Sequence, residues 1–247
     1  MAGRDLMSRK CFSEILPRFE LSGSACILVA MSQDRKNERA YLALKADIVE
    51  GRLRPGQLII EGELAERYAL SKTPVRHALN RLEVEGMVEI LPRRGSIVRF
   101  FSVRDVQHVY LLRRLLEPEA AALAAKRATP ADVERLVELE SKAEAARADG
   151  DFSPGAAFHV AVAELARVPP LTAIIEGLQT KVQWFLRVQQ LNGEPIPLQH
   201  PHGPLVDAIA AGDADQARAI TESALTRSIT VILESMAELS VPSQTPH

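Results

Sequence analysis

The 247-residue chain has almost no cysteine: Cys11 and Cys26 are its only two, both near the start. That excludes a disulfide-framed secreted scaffold and a cysteine-based zinc module. The stretch after residue 30 has none, as expected of a protein in a reducing cytoplasm. Aromatic residues make up only 4%. Sheets recruit β-branched and aromatic side chains, so a chain built on Leu, Ala and Val favours helices. No apolar run reaches the ~18 residues of a membrane span. Ala25 to Ala30 is apolar but short, and Asp5, Glu14, Arg18 and Glu20 spoil a signal-peptide pattern. What is present is ordinary globular composition, 47% hydrophobic and 25% charged. Such a composition excludes disorder over most of the length. The length allows one large domain or two modest ones.

The net charge of −2 hides an asymmetry. Residues 31–101 carry 13 Lys+Arg against 10 Asp+Glu, a net of +3, whereas residues 102–247 carry 13 against 19, a net of −6. A basic front and an acidic rear suggest two units with different partners. Residues 1–30 show no helical or strand period. Residues 1–37 are expected to be an extension outside the fold, with Met31 an alternative start. Helical patterning begins near Glu38, where Tyr41, Leu44 and Ile48 share one face. Gly51 ends that helix and Arg54-Pro55-Gly56 forms a turn. Leu58 to Ile60 reads as a strand and Glu61 to Tyr68 as a second helix. A third helix follows, capped by Ser71 or Thr73, with Pro74 in its first turn and Gly86 as a left-handed stop. Met87–Leu91 and Ser96–Phe100 read as strands joined by Pro92-Arg93-Arg94-Gly95.

This order is the plan of a winged helix-turn-helix, and the third helix supplies a physical reason for DNA binding. Val75, Ala78, Leu79 and Leu82 form its buried stripe; Lys72, Thr73, Arg76, His77 and Asn80 lie opposite. A helix fits the major groove, and its first turns reach base edges and phosphates. Arg76 has the fork to bridge guanine O6 and N7, and Lys72 suits a phosphate. Arg93 and Arg94 can enter the adjoining minor groove.

The segments Gly51-Arg-Leu-Arg-Pro-Gly56, Glu61-Gly-Glu-Leu-Ala65, Ser71-Lys-Thr-Pro-Val-Arg76 and Pro92-Arg-Arg-Gly95 resemble the GntR-type winged-helix domain. The resemblance spans roughly residues 38–101, with the helix-turn-helix at 61–85. It implies DNA contacts from Ser71, Lys72, Thr73, Arg76, Arg94 and Gly95, and Arg93 joins the expected set by its place at the wing tip. Two positions depart from the family: Gly62 often is basic, and Ala69-Leu70 stands where Gly-Val is usual. In the rear half, Leu112-Arg113-Arg-Leu-Leu-Glu117 and Glu119 to Ala125 resemble the start of the FCD effector-binding domain of the FadR type. Six helical segments are expected, at 103–128, 130–148, 153–167, 170–191, 198–212 and 213–238, as in the VanR-like variant. The expected architecture is therefore mainly α: an α+β winged helix, then an all-α bundle over 102–240 that also dimerises, and a tail at 241–247.

Many FCD domains hold a divalent metal with one Asp and three His, and the metal holds an organic acid. Here His159 and His202 match two ligands, but Gly155 and Ala224 replace the others. Asp151 is about two turns from His159, too far for the usual chelate; His200 is a conceivable substitute. The expectation is a degenerate pocket in which Arg113, His159 and His202 bind an effector directly. No cofactor is then obligatory, and a divalent metal is left open. The alternative is that both His are satisfied interior residues and Arg113 pairs with Glu117. Val168-Pro169-Pro170-Leu171 also lacks the family's usual Asn before the Pro-Leu step. The resemblance implies a cytoplasmic, ligand-responsive regulator, a repressor of a catabolic operon. It would bind a palindromic operator in double-stranded DNA as a homodimer and answer to a carboxylate effector. The competing readings are a helical-bundle enzyme and a protein-interaction module.

Overall fold

A computed structural model describes residues 23–147, 149–193 and 201–239. Residues 1–22, His200 and the tail at 241–247 lie outside the described residues. The first helix, α1, runs Gly23–Val49. It starts well before Glu38, so residues 23–37 are helical and not an unstructured extension. Periodicity reports a buried stripe, whereas a helix can extend beyond its packed turns with no proline to stop it, and residues 23–37 contain none.

Two-residue β1 (Leu58–Ile59), α2 (Glu61–Arg67) and α3 (Lys72–Val84) follow. Ser71 occupies the N-cap of α3 but makes no side-chain cap bond, and Pro74 sits in the first turn. Gly86 stops the helix at φ +73°, the left-handed region that favours glycine. Strands β2 (Val88–Leu91) and β3 (Gly95–Val98) pair antiparallel from Val88↔Val98 to Leu91↔Gly95. Strand β1 pairs with the other edge of β3, Ile59 opposite Ser96, so the sheet order is β1-β3-β2. Leu44, Ile48, Leu64, Val75, Leu79, Leu82, Val88 and Val98 form a buried core.

The rear half is helical: α4 (Val103–Arg127), α5 (Pro130–Arg147), α6 (Ser153–Leu165), α7 (Pro169–Leu191), α8 (Gly203–Ala210) and α9 (Ala214–Leu239). A capping box starts α4: the Ser102 hydroxyl accepts from the Asp105 amide, and the Asp105 carboxylate accepts from the Ser102 amide. The fifth of the six expected segments begins later than read, because α8 starts only at Gly203-Pro204, after Pro201-His202. The single tryptophan joins the halves. Trp184 of α7 is 1% exposed and belongs to the winged-helix core; Phe101 packs on it at 4.2 Å between ring centroids.

Candidate nucleic-acid interface and ligand cavity

On α3, Pro74, Val75, Ala78, Leu79 and Leu82 are buried. Ser71, Lys72, Thr73, Arg76, His77 and Asn80 are exposed on the other side. One partner was not anticipated: the Arg76 fork donates to Glu61 at the start of α2, Nε to Oε1 at 2.9 Å and a terminal nitrogen to Oε2 at 2.7 Å. These bonds are the main reason the Glu61 carboxyl lies below its ordinary range. They orient the guanidinium while leaving its side chain 63% exposed. At Gly62, an added Cβ would stand 3.7 Å from the Lys72 stem, so a basic residue there would join the same face.

The wing tip is a tight turn in which the Arg94 amide donates to the Leu91 carbonyl at 3.0 Å. Arg93 and Arg94 are exposed. Gly95 has φ +101°, and a Cβ there would meet the Ile59 carbonyl oxygen at 2.7 Å. Glycine thus lets β1 close against the wing.

In the helical half, Arg113, His159 and His202 converge on one cavity of about 80 Å³ between α4, α6 and α7. Arg113 is 2% exposed and forks onto Glu117, Nε to Oε1 at 2.6 Å and a terminal nitrogen to Oε2 at 3.3 Å. Its guanidinium also lies 4.7 Å from the Tyr110 ring centroid. His159 Nδ1 is 3.2 Å from the same carboxylate, and Gln179 Nε2 donates to it at 2.9 Å. Burial alone would push the Glu117 carboxyl up, but Arg113 and His159 hold it far below the carboxylate range. His202 stacks on Phe158 at 4.2 Å, and its Nδ1 faces Glu140. The two imidazoles meet edge to face at 5.0 Å.

Glu117, Gln179, Glu140 and Tyr110 were not singled out as site residues from sequence. The Arg113–Glu117 spacing was visible as an i,i+4 pair, but its burial was not. Gln179 and Glu140 reach the site from 62 residues away in the chain, which leaves no local signal.

The residues do not fit the metal expected of FCD domains. A Cβ at Gly155 would meet nothing within 4 Å, so the Asp position is open space. Asp151 instead accepts from the Ser153 amide at 2.9 Å. Among the described residues, no group of three or more His, Cys, Asp or Glu could hold a metal ion. His200 falls outside them.

Residues 36–98 match the pattern of bacterial regulatory proteins of the gntR family, and residues 108–227 match the FCD domain. The chain is 29% identical to the HTH-type transcriptional regulator LutR of Bacillus subtilis, over 72% of this chain and 93% of LutR. It is 27% identical to the HTH-type transcriptional repressor RspR of Escherichia coli, over 82% and 90% respectively. The solved structure of E. coli McbR/YncC superposes with a TM-score of 0.72 at 27% identity, covering 81% of this chain and 98% of that one. Among the described residues, no helix is long and apolar enough to cross a membrane. A winged helix with a cationic outer face, followed by a helical domain around a small cavity, is thus matched along both halves, and the chain belongs to the GntR family of DNA-binding transcription regulators with an FCD domain.

Proposed function

We propose that this chain is a ligand-responsive repressor that binds a palindromic operator as a homodimer and answers to a small-molecule effector. Residues 38–101 act as the DNA-binding unit and 102–240 as the effector and dimerisation unit. Lys72 takes a phosphate, Ser71 and Thr73 contact DNA at the start of α3, Arg76 reads a base edge, and Arg93 and Arg94 enter the minor groove. Gly95 shapes the wing. The observation that carries this reading is the orientation of α3: its apolar stripe is buried while Lys72 and Arg76 face outward. The relatives named above are transcriptional regulators, which favours this reading over an enzyme or a protein-interaction module.

Helix α7 supplies a route from effector to DNA. Gln179, Val182, Gln183 and Leu186 line the cavity. On the same helix, Trp184 sits in the winged-helix core and Arg187 Nε donates to the Glu50 carbonyl at 3.2 Å. An effector that prefers one position of α7 biases the winged helix by that difference in affinity. For the dimer, Leu111, Leu112 and Leu115 of α4 are 55%, 44% and 61% exposed. An apolar stripe of that kind suits a second copy of the helix, and the two recognition helices would then meet half-sites ~34 Å apart.

The test is a gel shift on genomic fragments across a salt series. Binding should fall steeply with salt, and Lys72→Ala should lower the slope by about one. Arg76→Ala should cost about 1–3 kcal/mol at the preferred site. Arg76→Ala binding equal to wild type at moderate salt would refute the recognition role.

A further inference from the structure

The cations of the cavity are already matched by carboxylates of the protein. Glu117 takes the Arg113 fork, His159 Nδ1 and the Gln179 amide together. Those are the donor types a carboxylate ligand would use. His202 faces Glu140, and Asp151 stands on the cavity wall. Arg113 and His159 share Glu117 and His202 is taken by Glu140, while Asp151, which accepts from the Ser153 amide, adds a further negative charge to the wall. No metal charge shifts that balance, since Gly155 and Ala224 remove two ligands. A carboxylate entering this site would be desolvated beside like charges, with its complementary cation already engaged.

What the cavity still presents is neutral. The buried Tyr110 hydroxyl meets no acceptor in good hydrogen-bond geometry among the described residues, with the Arg113 guanidinium as its polar neighbour, and the Gln183 amide lies on the wall. Phe152, Val182 and Leu186 complete an apolar surface. At about 80 Å³ the space equals roughly five to eight water probes, enough for a compact molecule with one or two polar groups.

We infer that the effector is a small uncharged molecule bearing a hydrogen-bonding oxygen or amide, and that Glu117 acts as an internal carboxylate that excludes organic acids. This rests on the cavity being the effector site, and it replaces the carboxylate that the family resemblance implies. In the selective form of the cavity Glu117 is a positioning residue, and Tyr110 touches the ligand.

The experiment compares propionamide with propionate as stabilisers of the full chain, by thermal shift over a concentration series at constant ionic strength. Wild type should respond saturably to the amide and not to the acid. In Glu117→Gln the Arg113 fork loses its counter-charge and one of its two acceptors, and propionate should bind at least about tenfold more tightly than to wild type. Loss of that gain in the double variant with Arg113→Gln would assign it to the fork. Saturable propionate binding by wild type, or no gain in Glu117→Gln, overturns the inference. Should Glu117→Gln fail to fold, the wild-type comparison decides alone: a larger response to the amide supports the inference, and equal responses or the reverse order refute it. The regulator reading is scored separately, by the salt-dependent gel shift; its failure would leave the ordering of acid and amide intact.

Discussion

Ala69 holds φ at +52° in the turn between α2 and α3. That left-handed conformation costs an L-residue roughly 1–2 kcal/mol, a physical reason for the glycine that the family resemblance implies at this turn. Ala69→Gly should therefore stabilise the chain by up to about 1 kcal/mol, the relief being offset by the looser unfolded state. Urea melts would check this, and a destabilised variant would contradict it. Asp47 is 6% exposed and accepts from the Tyr68 hydroxyl at 2.7 Å and Arg52 Nε at 2.6 Å. Burial alone would raise its carboxyl, but the Tyr68 and Arg52 bonds outweigh it and hold the group below its ordinary range. A depressed folded value means the contribution is complete above the unfolded pKa, about 3.9, and fades as pH falls through the folded value. Asp47→Asn should cost about 1–3 kcal/mol at neutral pH. It should also flatten the acid limb of the stability curve below about pH 4. An unchanged acid slope would refute the assignment.

Among the elements, α3 and the wing were legible because two independent signals agree. The apolar stripe fixes which face is buried, and Pro92 with Gly95 fixes the turn. Helix α1 was only half legible, because Tyr41, Leu44 and Ile48 give its later turns a stripe in the sequence and residues up to 37 show no such period. On α6 the sequence shows a glycine at position 155, but how the His159 imidazole is held came only from Glu117 of α4. Since nothing lies within 4 Å of a Cβ at Gly155, Gly155→Asp with Ala224→His tests whether the missing pair accounts for the misfit. The double variant should bind one zinc or nickel ion per chain by titration calorimetry. A tight 1:1 wild-type isotherm abolished by His159→Ala would show that the native residues suffice for a metal.

For the molecule as a whole, the expected dimer and the expected allostery meet on different helices. The exposed leucines of α4 lie outward, while α7 carries the contact between halves through Trp184. Leu111→Asp with Leu115→Asp should shift light-scattering mass from dimer to monomer. It should also weaken operator binding by one to two orders of magnitude, because linked half-sites bind with an effective concentration that single sites lack. A variant that remains dimeric would place the interface elsewhere. The order of elements and the buried face of α3 follow from the amino-acid string, since each depends on local spacing or on residue identity. That Glu117 gathers Arg113, His159 and Gln179, and that Trp184 belongs to the core of the other half, emerges only from the folded chain. Those contacts join residues distant in the chain, and no local pattern encodes which buried charge will meet which.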